Sequence, residues 1–109
     1  MIYIIKNEQH RLLPDQEKAI REKFNTTDWE YINIPSKGLT ILEMEELFAT
    51  EIYGRELNFV FLSPIPYMMK MCCEQGIKWY VFHNDHREKK ELPDGRVIMT
   101  VAKEGWEIL

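Results

Sequence analysis

Cysteine is nearly missing from this chain of 109 residues: there are 2, and they are neighbours, Cys72 and Cys73. A disulfide between adjacent residues is strained. No framework of bridges is therefore available, both thiols are read as reduced, and the chain is expected in the cytoplasm. Glycine and proline are also scarce, at 5 each, which excludes collagen-like and low-complexity designs. No apolar run approaches the roughly 20 residues of a membrane-spanning helix. The opening run from Ile2 to Ile5 gives way at once to Lys6, Asn7 and Glu8, too soon for a secretory signal. An excess of basic charge is lacking too: Lys and Arg total 14 against 18 Asp and Glu, a net charge of −4. A chain-wide field suited to duplex DNA is thereby excluded. The acid surplus is N-terminal, because residues 1–56 hold 7 basic and 11 acidic side chains and the remainder holds 7 of each.

Several signatures are missing as well. No G-x-G-x-x-G follows the first apolar run and no G-x-x-x-x-G-K-[ST] occurs anywhere, so neither a dinucleotide redox site nor a P-loop is supported. The Cys and His pairs of a closed zinc site are lacking. No cofactor and no metal are expected.

What the chain does have is apolar substance, 45% hydrophobic and 12% aromatic, enough for one core in one domain spanning residues 1–109. Ile2 to Ile5 is a β-branched run suited to a strand buried on both faces. Leu13, Ile20 and Phe24, with Pro14 near the start and Asn25 after the end, have helical spacing and punctuation. Glu30 to Ile34 alternates as a half-exposed strand does. Thr40 and Glu43 form a capping box ahead of Ile41, Met44, Phe48 and Ile52, a helical series that Gly54 stops. Leu57 to Leu62 is a third strand, Met68 to Gln75 a third helix and Ile77 to Phe82 a fourth strand. The turn Leu92-Pro93-Asp94-Gly95-Arg96 then leads into Val97 to Val101.

Strands and helices that alternate this way imply parallel strands with right-handed crossovers. The expectation is a single small α/β domain of three layers, flavodoxin-like or Rossmann-like. Its strand order is 2-1-3-4, and the 97–101 strand is added antiparallel beside the fourth. The third helix carries Tyr67, Met68, Met69, Met71, Cys72 and Cys73, apolar on more than one face, which predicts a homodimer through residues 66–75.

In such sheets ligands bind beyond the carboxyl ends of the strands, where successive crossovers go to opposite faces. All three histidines fall in or beside the loops at that rim. His10 and His83 are the acid/base candidates, since imidazole titrates near neutrality. Asn7, Arg11, Ser36, Lys37, Ser63, Asn84 and Asp85 are the candidate ligand-binding residues. Ser63, ahead of two prolines, is expected to cap the third helix and present backbone N–H groups to an anion, with Lys37 and Arg11 adding charge. Along an extended segment His83 and His86 point to opposite sides, which disfavours a metal between them.

The stretch Ile4-Ile5-Lys6-Asn7-Glu8-Gln9-His10-Arg11-Leu12-Leu13-Pro14-Asp15-Gln16-Glu17 resembles the opening of small CRISPR-associated Rossmann-like proteins, of the CARF or ring-nuclease type. Some of those families begin with a strand, a His-containing loop and a helix opened by Leu, Thr or Leu, Pro, an acid and Gln. The resemblance implies a Rossmann-like fold, ligands such as cyclic oligoadenylates, metal-independent cleavage in some members, and functional positions at Asn7 and His10. Downstream the chain departs from that pattern, in Ser63-Pro64-Ile65-Pro66 and in the terminal hairpin.

Three functions follow as expectations. The first is a module that binds a nucleotide or other phosphate-bearing ligand at the carboxyl ends of the first and third strands. The second is a metal-independent phosphodiesterase acting on a cyclic oligonucleotide, with His10 or His83 as acid/base and the ligand's own ribose hydroxyl as nucleophile. The third is a small regulatory protein of a mobile element, acting through protein contacts alone.

Overall fold

The computed structural model describes residues 2–55, 57–84 and 87–109, with the backbone alone at 87, 88 and 99–101. Six apolar-to-polar residues open the chain as β1 (Ile2–Asn7), and α1 (Pro14–Phe24) follows. Pro14 sits at the first helical position, where its missing N–H costs nothing. Asn25 ends the helix in the left-handed conformation at φ 50°, which asparagine tolerates better than most residues. β2 (Glu30–Ile34) leads to α2 (Ile41–Leu47), which runs on into a π-helical turn, Phe48–Ile52. The capping box of α2 is present: Thr40 Oγ1 accepts from the Glu43 N–H and the Glu43 carboxylate accepts from the Thr40 N–H, at 3.1 and 3.0 Å. Next come β3 (Asn58–Phe61), α3 (Pro66–Glu74), β4 (Trp79–His83), β5 (Arg87–Glu91), β6 (Val97–Val101) and β7 (Glu107–Ile108).

The main sheet has five strands in the order β2-β1-β3-β4-β7. β1 pairs in parallel with β2 and β3, β3 in parallel with β4, and β7 closes the edge of β4 antiparallel. Alternation along the strands divides the core in two. Ile5, Ile32, Ile34, Phe59 and Phe61 meet Phe48, Ile52, Met68 and Cys72 from the α2 and α3 side. Ile2, Ile4, Val60, Phe82 and Ile108 meet Ile20 of α1 on the other. Helices therefore cover both faces of a mostly parallel sheet.

The full strand order differs from expectation in its last member. The 97–101 strand, expected beside β4, pairs with Arg87–Glu91 in a separate two-stranded sheet. Its local turn explains this: the Leu92 N–H reaches Arg96 O at 2.7 Å and Gly95 N–H reaches Leu92 O at 2.9 Å, so 97–101 folds back on the strand it directly follows. The β4 edge goes instead to the segment carrying Ile108, which is buried on the α1 face. Val81 exchanges both of its backbone hydrogen bonds with Leu109, at 3.0 and 2.9 Å.

Part of the apolar surface of α3 is absorbed internally, while Cys73 stays exposed and Tyr67 is half-buried. Met68 and Cys72 are fully buried and Met69 and Met71 pack against the same core. The large exposed hydrophobic residues, Tyr31, Ile41, Leu42, Tyr53, Val97, Ile98 and Leu109, all lie elsewhere. Burial in the core accounts for much of the apolar character that pointed to pairing through residues 66–75. Among the described residues no helix is long and apolar enough to cross a membrane.

Candidate ligand site at the carboxyl ends of β1 and β3

β1 passes its chain to α1 on one face, and β2 passes its chain through α2, on the other face, to β3. The gap between the exits of β1 and β3 is the place where such a sheet leaves room for a ligand. Here the two exits are tied together. Leu62 N–H donates to Ile5 O at 2.9 Å, and the buried Ser63 turns its hydroxyl toward the β1 loop. Ser63 Oγ accepts from the Asn7 N–H at 2.9 Å and lies 2.6 Å from His10 Nδ1. With the Asn7 N–H already donating to it, the hydroxyl can give its own proton to Nδ1, which leaves the proton of a neutral imidazole on Nε2.

Ser63 therefore does not cap α3. The residue before the first helical turn is Ile65, with no side-chain cap and Pro66 at the helix start. Pro64 and Ile65 separate Ser63 from the first helical residue, Pro66, and its hydroxyl faces β1 and not the helix N-terminus.

His10 and Arg11 stand between two cavities, each of about 320 Å3. That is at the small end of ligand pockets. One is polar and cationic, lined by Lys6, His10, Arg11, Leu12, Glu17, Tyr31 and Asn33. The other is mostly apolar, lined by Gln9, His10, Arg11, Leu13, Gln16, Leu62 and Trp106. Lys6 is the unusual member. It is 9% exposed, its ammonium lies 5.2 Å from the centre of the Tyr31 ring, and it has no hydrogen bond or ion pair among the described residues. Since every fully enclosed side-chain nitrogen and oxygen described is bonded, this ammonium opens on the cavity that it lines. An ammonium with three unused donors is costly where water is scarce.

The other expected site residues divide. Arg11 and His10 come together at the clefts. Asn7 shapes the loop, its Oδ1 accepting from the Gln9 N–H at 3.0 Å. Ser36 spends both its N–H and its hydroxyl on Glu8 Oε1, at 3.1 and 3.0 Å. Those two bonds hold the Glu8 carboxyl below the ordinary glutamate range, with Lys6 adding a smaller effect in the same direction. Lys37 acts on Glu43, which is held low mainly by its bonds to Thr40. His83 is exposed at the end of β4, in register with Glu107, and lines neither cleft that His10 lines. Asn84 is buried and donates to Glu104 O at 2.7 Å, supporting the turn that carries Trp106. Asp85 lies outside the described residues. Among the described residues no three His, Cys, Asp or Glu side chains gather as metal ligands. Cys72 is no nucleophile, since burial pushes its thiol up to about 11.

Sequence reasoning missed Lys6, Gln16 and Trp106. The signals existed for the first two. Lys6 shares its strand face with Ile2 and Ile4, and Gln16 lies four residues before the buried Ile20 on α1. Trp106 depends on the fold bringing the C-terminal segment to α1, where its N–H donates to Asp15 Oδ2 at 3.0 Å. Comparison with protein-family models, curated proteins and solved structures finds no match.

Proposed function

We propose that this protein binds a phosphate-bearing small molecule of the nucleotide kind at the carboxyl end of β1, its phosphate in the cavity over β1 and β2 and the rest of it reaching the exit of β3, within a Rossmann-like arrangement. The observation that carries this reading is the largely buried Lys6, whose ammonium, without a hydrogen bond or ion pair among the described residues, opens on one cavity with Arg11 and His10. A phosphate group supplies the oxygens that Lys6 lacks. Arg11 adds a planar fork suited to phosphate, and His10, with Nδ1 turned to Ser63, adds Nε2 as a donor. The single acid among the lining residues, Glu17, lies 3.9 Å from Arg21.

The test is calorimetry with inorganic phosphate, ribose 5-phosphate and nucleoside monophosphates. A ligand present at 100 times its dissociation constant stabilises by about 2.7 kcal/mol, several degrees of thermal midpoint for a chain this size. Lys6→Met is expected to weaken every phosphate compound by about tenfold or more, the scale of a hydrogen bond to a charged group. Unchanged affinity in that variant, or no binding by the native protein, refutes the reading.

A second reading is favoured by the 2.6 Å contact between His10 Nδ1 and Ser63 Oγ. It leaves Nε2 as the ring nitrogen that meets a ligand, as general acid/base work requires. In a metal-independent phosphodiesterase His10 works in its other tautomer, with Nδ1–H donating to Ser63 Oγ: the ligand's ribose hydroxyl attacks phosphorus, the free lone pair of Nε2 accepts the hydroxyl proton, the bond from phosphorus to the departing ribose oxygen breaks, and the imidazolium returns the proton to that oxygen. Conversion of a cyclic oligoribonucleotide to linear products, abolished by His10→Ala, would establish it; binding without turnover returns the protein to the first reading.

A further inference from the structure

The apolar cavity beside the anion site contains one fixed donor. Gln16 is 3% exposed, and its Oε1 accepts from the Leu13 N–H at 2.8 Å. A backbone N–H bonds to the oxygen of an amide and not to its nitrogen, so this contact decides which way the side chain is turned. The Nε2 group has no partner among the described residues, and fully enclosed nitrogens there all have one. Nε2 therefore opens on the cavity that Gln16 lines.

Trp106 is held at both of its N–H groups. The backbone N–H goes to Asp15 Oδ2 at 3.0 Å and the indole N–H to Ala102 O at 2.9 Å, while the ring meets Phe82 edge-on. It is thus a rigid aromatic wall whose hydrogen-bonding capacity is already used. Leu13 and Leu62 add aliphatic surface. A guest for this space is flat, apolar on its faces and equipped with an acceptor at its edge.

We propose that this cavity takes the heterocyclic base of a nucleoside phosphate whose phosphate lies with Lys6 and Arg11, and that Gln16 Nε2 donates to a carbonyl oxygen or ring nitrogen of that base. His10 and Arg11, which belong to both cavities, stand where the sugar joins the two halves. The inference rests on the phosphate reading above but fails separately from it.

Calorimetry compares ribose 5-phosphate with adenosine and uridine monophosphates on the native protein. Both nucleotides are expected to bind at least about tenfold tighter than the sugar phosphate, in keeping with one stacked base and one added hydrogen bond. Gln16→Glu keeps an oxygen for the Leu13 N–H and exchanges the donor for an acceptor. The added charge acts on both ligands alike, so the nucleotide-to-sugar-phosphate ratio is the readout, and it is expected to drop by about fivefold or more. Equal affinity for sugar phosphate and nucleotides overturns the base pocket and leaves the anion site standing. An unchanged ratio in a folded Gln16→Glu protein overturns the role of Gln16. Tight nucleotide binding that Lys6→Met does not weaken overturns the anion site instead. The ligand comparison needs no variant and decides the matter even where Gln16→Glu fails to fold.

Discussion

Lys6 pays for its position in stability: its stem is buried, and its ammonium opens on a cavity beside Tyr31 without an acceptor and with little of the hydration it has in the unfolded chain, which disfavours the folded state until a ligand arrives. Lys6→Met keeps the length of the side chain and removes the charge. The variant is expected to unfold at an equal or higher urea concentration than the native protein while losing phosphate affinity, a stability-against-binding trade that a merely structural lysine would not show. Glu8 offers the opposite case. Its carboxylate is fastened by the Ser36 N–H and hydroxyl, so its folded pKa lies below the unfolded one. The resulting stability is present above the unfolded value and is lost as pH falls through the folded one. Measured by urea unfolding across pH 7 to 3, the advantage of the native protein over Glu8→Gln is expected to be flat above roughly pH 5 and to shrink below it. The depressed Glu43 is common to both proteins and cancels in that difference. Glu8 and Ser36 were visible as loop polarity in the sequence, but their contact was not. Glu8 and Ser36 are 28 positions apart, and only the parallel pairing of β1 with β2 brings them together.

At the scale of elements, the sequence was informative wherever a signal is local. The Thr40 capping box, the Pro14 start and Asn25 stop of α1, and the half-exposed alternation of β2 all reappear in place. What local signals do not contain is the identity of the strand that closes β4. Val97–Val101 is longer and more apolar than Glu107–Ile108, yet the five-residue turn before it commits it to β5. Ser63 illustrates the same limit on the site. Serine ahead of two prolines has the pattern of a helix cap, whereas the fold uses its hydroxyl to clamp the exits of β1 and β3. Ser63→Ala removes the acceptor of the Asn7 N–H and leaves His10 without its ring contact. The expected cost is about 1–3 kcal/mol of unfolding free energy, with the ring nitrogens of His10 changing their 15N signature as the tautomer preference is released. A Ser63→Ala protein of native stability and unchanged His10 spectrum would mean that the clamp contributes nothing.

For the whole molecule, the two cores share one sheet, so the strands between them are its most protected part. Ile4, Ile5, Phe59, Val60 and Phe61 are all fully buried. The β5-β6 pair stands outside that arrangement: its strands hydrogen-bond to each other and belong to a different sheet, and Val97 and Ile98 remain exposed. The accessible surface of 7449 Å2 exceeds the roughly 6,400 Å2 expected for a compact chain of this mass, as a strand pair set apart from the main sheet requires. A two-stranded sheet alone is marginal in water. Backbone amides of Lys89 to Glu91 and of Val97 and Ile98 are therefore expected to exchange with deuterium through local opening, orders of magnitude faster than those of Ile5 and Val60, which wait for global unfolding. Adding a saturating nucleoside phosphate separates the two units further. A ligand held by Lys6, Arg11 and Gln16 raises the free energy of global opening and slows Ile5 and Val60, while the hairpin amides, which line neither cleft, keep their rates. Equal slowing at both places would instead tie the hairpin to the ligand site and make it part of the binding machinery.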